Sequence, residues 1–340
     1  MSSAALPIAI IGAGKAGRQH AAALQGTAGC RVAVVVDPDE TAGRHLADAY
    51  GAAWRSALDD ASDLAAAVVA VPHHLLEGAA LRCAEAGLAT LLEKPMALDL
   101  GGADRVSDAF ASRGLPLQVG FVHRFREESR AAYALIREGR IGRPTFVSEV
   151  KPYGVQNTPA WVWRRELGGG ALLYNGIHGL DRIRWLTGLE ALRADAAGGA
   201  LTHDVDVDDT IAGHLRLGGG ALAQVLVQLS PFPMDGHWTT TVYGTEGAIE
   251  VRTGQGLRGW GYDGAFAFGV ERCDRFSAQA AAFVAAARGS RPPAVTAHDG
   301  RAALAIALGL LESAEHAVSV AIDAGPAGSD DRTSSTGGTT

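Results

Sequence analysis

Continuously apolar runs alternate with stretches of helical spacing over the first third of the chain. The runs are Pro7–Ile11, Arg31–Val36, Ala65–Val71, Ala89–Glu93 and Leu115–Gly120, each closed by turn residues. A run that is apolar at every position has both faces buried, which is the pattern of a parallel strand covered by helices. Between the runs lie Ala-rich segments such as KAGRQHAAALQG and DETAGRHLADAYG, several ending in the glycine expected just past a helix. Repetition of this unit predicts a doubly wound parallel α/β domain.

Beyond Gly120 the periodicity changes. A helix is expected over about Glu127–Glu138, then GRPTFVSEVKPYG as a strand with polar alternation, and an aromatic loop, NTPAWVWRRELGGG. From about Asp206 the chain reads mostly as strand, with hairpins around Gly218–Gly220 and Gly244–Gly247. Two Ala-rich helices, about Asp274–Arg288 and His298–Val320, close the pattern. The expected architecture is α/β: a Rossmann domain over 1–122, and a second α/β domain over 123–323 built on a large, mostly antiparallel sheet. The closing helices pack back on the first domain, and a small, polar, disordered tail covers 324–340.

Composition narrows the partners. With a formal charge of -7 the 340-residue chain has no global basic field for nucleic acid or an anionic membrane. Its three cysteines, Cys30, Cys83 and Cys273, show no metal or redox spacing, which points to a reducing, cytoplasmic setting. The first residues lack the basic region of a signal peptide, and no run approaches a membrane span.

The first motif, IAIIGAGKAG, follows a strand and opens a helix. Gly12 makes the tight turn, Gly14 lets a pyrophosphate approach the backbone with Lys15 and Ala16 beside it, and Gly17 lets helix and strand pack. Asp37, ending the next strand, is placed to hold ribose hydroxyls. Its charge repels a 2'-phosphate and no arginine follows it directly, so NAD is favoured over NADP, although Arg44 could reach an adenosine phosphate. Val71, Pro72 and His74, and Glu93 with Lys94, lie at later strand ends, where such sheets bind ligands. Lys94 reads either as a cation for a substrate oxygen or as a surface lysine paired with Glu93. In GGGALLYNGIHGLD, helical spacing puts Tyr174, His178 and Asp181 on one face.

Taken in order, GAGKAGRQH, VPHHLLEGAALRCAEAG, LLEKPMALDL, VGFVHRF and GGGALLYNGIHGLDRIRWLTG resemble the Gfo/Idh/MocA family, the group of glucose-fructose oxidoreductase and inositol dehydrogenase. VYGTEGAIEV and the segment Pro292–Val320 extend the likeness to about residue 323. The resemblance implies hydride transfer between NAD(P) and a sugar, amino sugar or cyclitol carbon. It also implies assembly into a homodimer or homotetramer through the outer face of the second sheet. By position, Lys94 matches the family's active-site lysine and His178 its catalytic histidine. Gly12, Gly14, Gly17, Asp37, Pro72, His74 and Glu93 match cofactor contacts.

Tyr174 departs from the pattern, since the family commonly carries an acid four residues before the histidine. A neutral phenol supplies no counter-charge, which would make His178 the weaker base. Tyr174 then either bonds substrate or relays a proton, packs as a wall, or marks altered chemistry; a one-residue slip would bring in Asn175. The substrate rim is expected to include His123, Arg124, Tyr153, Trp163 and Arg164, with Lys151, Trp161 and Arg165 nearby. HDVDVDD (203–209) does not read as a metal site, because strand alternation splits its acids between faces. Two other activities fit the same motifs: a glycoside-cleaving lyase or hydrolase with bound NAD, and a non-catalytic cofactor-binding regulator.

Overall fold

The computed structural model describes residues 5–154, 158–234, 236–262, 264–268 and 274–325. Cys273 and the tail from residue 326 lie outside them. The early apolar runs form β1 (Leu6–Ile11), β2 (Cys30–Val36), β4 (Ala66–Val69), β5 (Ala89–Leu92) and β6 (Leu117–Val119). With the short β3 (Ala53–Arg55) they make one parallel sheet, order β3-β2-β1-β4-β5-β6. Helices α1 (Lys15–Gln25), α2 (Glu40–Tyr50), α3 (His73–Glu85) and α4 (Leu100–Ala111) are the crossovers. Strand order reverses at β1, so the connections leaving β1 and β4 part and open a crevice at their carboxyl ends. β3 is absent from the sequence reading because three residues at a sheet edge leave no apolar run.

After α5 (Glu127–Arg137) comes the long β7 (Pro144–Gly154). α6 (Ile177–Thr187) is followed by β8 (Ala191–Gly199), β9 (Thr210–Leu217), β10 (Leu222–Ser230), β11 (Thr239–Gly244), β12 (Gly247–Arg252), β13 (Gly256–Gly261) and β14 (Gly264–Phe268). With β15 (Val320–Ala321) these strands form a nine-stranded sheet, order β14-β13-β12-β11-β7-β10-β9-β8-β15. Pairing is antiparallel throughout except between β7 and β10. The hairpins expected at 218–220 and 244–247 join β9 to β10 and β11 to β12.

The two closing helices tie the sheets together. α7 (Arg275–Ala287) buries Ala280, Phe283 and Val284 against Ile8, Ile10 and Leu24 of the parallel sheet layer. α8 (Ala297–His316) packs on α4 and β6 on one side and on α6 and β8 on the other. No helix among the described residues is long and apolar enough to cross a membrane.

Along β7, burial alternates and the inward positions are Val147, Glu149 and Lys151. The polar alternation visible in the sequence therefore has two of its charges facing in, not out, directly beneath α6.

Candidate active site

One cleft of about 1250 Å³ runs from the glycine loop after β1, across the ends of β4 and β5, to the start of α6. Its first half is built by close backbone approaches. Gly12 sits at φ +102°, and a Cβ there would lie 2.5 Å from the Ala70 carbonyl oxygen. A Cβ on Gly17 would lie 1.8 Å from the Gly12 oxygen, whereas one on Gly14 would meet nothing within 4 Å. Gly14 faces the cleft, and the α1 N-terminus behind it has no side-chain cap and no acid in its first turn. Free N–H groups, a favourable dipole and open space fit a pyrophosphate.

Asp37 lines the same half, its carboxylate accepting from the amides of Ala13 (2.6 Å) and Asp39 (2.9 Å). Those bonds fix its orientation while leaving lone pairs for ribose hydroxyls. Arg44 is occupied elsewhere, paired with Glu40 at 2.7 Å and stacked on Trp54 at 4.5 Å. The residues present therefore fit NAD.

In the second half, Lys94 reaches across from the end of β5 to donate from Nζ to the Tyr174 carbonyl at 2.5 Å. Its neighbour Glu93 accepts from His20 Nε2 at 2.8 Å and so is not the lysine's ion-pair partner. Burial lowers the Lys94 pKa, against the opposing pull of the Glu93 charge. Lys151, on β7, donates to both the backbone and side-chain oxygens of Asn175 at 2.7 and 2.8 Å.

The helix bearing these carbonyls does not start as an α-helix. Leu172–Gly176 is a single π turn leading into α6, with the Ile177 amide bonding back to the Leu172 oxygen. A widened turn of this kind re-aims side chains and carbonyls and is frequent at functional sites. The single face expected for Tyr174, His178 and Asp181 is consequently split.

Tyr174 turns toward His73 and Trp161, with ring centroids at 6.4 and 5.7 Å. His178 lies edge-on to Phe121 and His123, at 5.8 and 4.6 Å. Asp181 takes a two-pronged ion pair from Arg124, at 2.9 and 2.5 Å. No hydrogen bond or ring contact joins Tyr174 to His178 among the described residues.

His178 is buried, and its Nδ1 meets no hydrogen-bond partner. Burial first, then the charges of Lys94, Lys151, Arg182 and Arg275, hold its pKa well below the usual histidine value. The imidazole is neutral at neutral pH, the form that accepts a proton. Beside it, His123 accepts from Arg126 at Nδ1 (3.0 Å), which places its own proton on Nε2. Beneath both, the Trp238 indole lies between two cations, with Lys151 Nζ at 3.7 Å and the Arg182 guanidinium at 3.8 Å from the ring centroid. Its N–H and the Thr240 hydroxyl both donate to the buried Glu149.

Several predicted residues sit elsewhere. Arg124 does not line the cleft; it is 8% exposed and bridges Asp181 to Asp299. Removing one partner of such a buried pair costs about 3–5 kcal/mol, so this arginine anchors α6 to α8. His74 is exposed, and its neighbour His73 turns inward to donate to the Gly168 carbonyl at 2.7 Å and to sit tilted against Trp161 at 4.4 Å. Trp163 packs on His203 and Arg164 pairs with Glu166 at the surface, both outside the cleft lining.

Gly17 packs the loop and does not face the cleft. Gly12, Gly14, Lys15, Ala16, Asp37 and Val71 do line it, as do Pro72, Glu93 and Lys94. So do His123, Tyr153, Tyr174, Asn175 and His178. Sequence reasoning missed Trp238, Thr253, Arg275 and Phe276, which come from loop and helix ends with no motif around them.

Asp206, Asp208 and Asp209 of HDVDVDD accept from backbone amides. Asp208 accepts from the Leu172 amide at 2.8 Å and so starts the π turn, while Asp209 gathers the amides of residues 201–203. Burial raises the Asp208 pKa to about 7. A carboxyl whose pKa is higher folded than unfolded (about 4) favours folding in its protonated form, so its contribution falls as pH rises from about 4 to 7. Asp208→Asn, which keeps an acceptor without the charge, is expected to flatten the unfolding midpoint across that range; an unchanged pH dependence in thermal melts would refute the assignment.

Residues 6–121 match the oxidoreductase family with an NAD-binding Rossmann fold, and residues 129–250 match the GFO/IDH/MocA C-terminal domain. The chain belongs to the Gfo/Idh/MocA family. The rhizopine catabolism protein MocA of Rhizobium meliloti is 30% identical, the match covering 88% of this chain and 92% of that protein. An inositol 2-dehydrogenase of Rhizobium meliloti is 28% identical over 88% of this chain and 93% of its own length. GenD2 from gentamicin A biosynthesis, solved in complex with NAD, superposes with a TM-score of 0.83 at 25% identity, covering 95% and 98% of the two chains. As a family member the protein is an NAD-binding oxidoreductase acting on CH–OH groups.

Proposed function

We propose that the protein interconverts a secondary hydroxyl and a ketone on a sugar or cyclitol ring, with Lys94 and His178 at the reacting oxygen. The supporting observation is the convergence of these two side chains, one from the end of β5 and one from α6, in the cleft that begins at the glycine loop. NAD, when bound, supplies the hydride acceptor. In oxidation, neutral His178 takes the hydroxyl proton, and the Lys94 ammonium stabilises the charge that develops on oxygen. In reduction the same groups return them. Lys94 is held on one side by the Tyr174 carbonyl, which leaves two N–H donors for substrate. His123, with its proton on Nε2, can donate to a neighbouring hydroxyl.

Relatives that are dehydrogenases do not favour the lyase or regulator readings. The reading is tested with a panel of sugars, inositols and their keto forms, followed by NAD(H) absorbance with NADP(H) in parallel. Turnover of polyols or ketones with NAD supports it. Absence of turnover across the panel, with NAD bound, sinks it.

Tyr174 forms the wall opposite, edge-on to Trp161, with its hydroxyl available to substrate. Loss of one neutral hydrogen bond is worth about 0.5–1.5 kcal/mol. Tyr174→Phe is therefore expected to lower kcat/KM about 2- to 12-fold with an unchanged melting temperature. Unaltered kinetics would reduce the residue to packing.

Assembly is part of the same proposal. Leu222, Phe146, Tyr243 and Trp260 lie in one row across neighbouring strands of the nine-stranded sheet, and all but the half-buried Phe146 are exposed. An apolar row of this kind suits a homodimer or homotetramer face.

A further inference from the structure

The substrate end of the cleft has an uneven charge balance. Lys94, Lys151 and Arg275 line it together with His123 and His178. Glu93 is the one carboxylate among the described residues lining that end, and it is held by His20 and the Lys94 amide. Asp37 and Asp59, the other acids of the lining, belong to the nucleotide end.

Neither lysine forms an ion pair among the described residues, although the charges of Glu93 and Glu149 act on Lys94 and Lys151 from nearby. Lys94 meets a backbone carbonyl, and Lys151 meets the two Asn175 oxygens and the Trp238 face. Arg275, half-buried at the start of α7, has a buried Nε without a hydrogen-bond partner. Its neighbour Asp274 is exposed and bonds the Phe276 amide and the Ser277 hydroxyl, capping the helix. One layer back, two carboxylates, Glu128 and Glu149, are shared among Arg126, Arg182, Lys151 and Arg275, so a cationic surplus remains. An acid at position 174 would have supplied a counter-charge, and tyrosine does not.

Resting on the oxidoreductase reading above, we propose that the substrate itself carries the missing anion. It is an acidic sugar or carboxylated cyclitol, whose carboxylate is bound by Arg275 and Lys151 while its reacting hydroxyl lies at Lys94 and His178. Arginine offers a carboxylate a planar pair of donors, and the third N–H of Lys151 is free to join it. Burial already pushes Lys94 and Lys151 toward their neutral forms; a bound carboxylate restores the charge that Lys94 needs for catalysis. The same balance works against a substrate bearing an ammonium group, because no free carboxylate among the described residues faces it.

The test compares sugar pairs that differ only in oxidation at the terminal carbon, such as glucose with glucuronate and galactose with galacturonate, alongside neutral inositols. Initial rates are read by NADH absorbance. At least one acid is expected to exceed its neutral partner by 100-fold or more in kcat/KM. Arg275→Met is expected to shrink that ratio at least tenfold, mainly through KM, and Arg275→Lys to retain part of it.

Arg275 could instead serve the cofactor's pyrophosphate, so NAD affinity is measured on the same variants by fluorescence titration. A variant that loses NAD affinity and keeps the acid preference overturns the proposal. So does turnover of neutral sugars or inositols as fast as their acidic counterparts, which would leave the oxidoreductase reading intact. Absence of turnover with any polyol, acidic or neutral, while NAD still binds, would overturn both.

Discussion

Replacing Lys94 by methionine is expected to lower kcat about 10²- to 10³-fold, the usual loss when one preorganised charge at a developing oxyanion is removed. Methionine fills the buried stem without the ammonium, so packing is conserved and the melting temperature stays within a few degrees. Three features make this position sensitive. Lys94 is only 9% exposed, its one protein acceptor among the described residues is the Tyr174 carbonyl, and no carboxylate among them lies within ion-pair distance. In so dry a setting a charge acts on its neighbour far more strongly than in water.

NAD binding, carried by the glycine loop and Asp37, is expected to remain within about threefold. A loss of NAD affinity with kcat preserved would place Lys94 at the cofactor and remove it from the chemistry. Lys94→Arg separates charge from shape: a planar guanidinium cannot reproduce a point charge held by one carbonyl, so little recovery is expected.

The nucleotide half of this site was legible because its physics is local. A buried strand, three glycines and an acid at the next strand end are contiguous consequences of one backbone path, and Gly12, Gly14 and Asp37 occupy the places their spacing implied. The EKP segment was legible for a similar reason, as a polar triplet at the end of an apolar run.

The substrate half was less so. Helical spacing put Tyr174, His178 and Asp181 on one face, but a π turn bonded to Asp208 from 36 residues away sets Tyr174 apart from the other two. Nothing local to GGGALLYNG signals that bond. Arg124 is expected at the rim because it follows the sixth strand; its partners, Asp181 and Asp299, arrive from helices 57 and 175 residues distant. Glu149 and Lys151 belong to a strand whose polar alternation does not say which face is buried; Lys151 is expected near the rim, and the sheet's position beneath α6 is what turns both inward. β8, rich in alanine and glycine, has no strand propensity of its own and is fixed by pairing with β9. Trp238 and Arg275 had no motif to announce them, and the cation layer they complete can be recognised only once β7, β11 and α7 are in place.

That cation layer shapes the second large effect. His178→Asn is expected to lower kcat for oxidation about 10²- to 10⁴-fold, the range for loss of a positioned general base. Asparagine keeps a polar group of similar size at a buried position, so the fold is retained. The informative measurement is the pH profile of the unsubstituted enzyme beside it.

A base must be deprotonated to act, so oxidation falls off as pH drops through the histidine pKa in the free enzyme. Burial and the charges of Lys94, Lys151, Arg182 and Arg275 all disfavour imidazolium, and no carboxylate among the described residues contacts the ring to oppose them. The acidic limb of kcat/KM is therefore expected below the ordinary histidine value of about 6.5. In His178→Asn that limb disappears from the residual rate.

Introducing the acid that the family pattern places at 174 gives the opposite sign: Tyr174→Asp adds a negative charge beside Lys94 and one turn from His178, and is expected to move the limb upward. A limb at or above 6.5 in the unsubstituted enzyme would take the proton away from both buried histidines, since burial holds His123 low as well; a limb below 6.5 that survives in His178→Asn would assign the proton to His123, 4.6 Å away ring to ring.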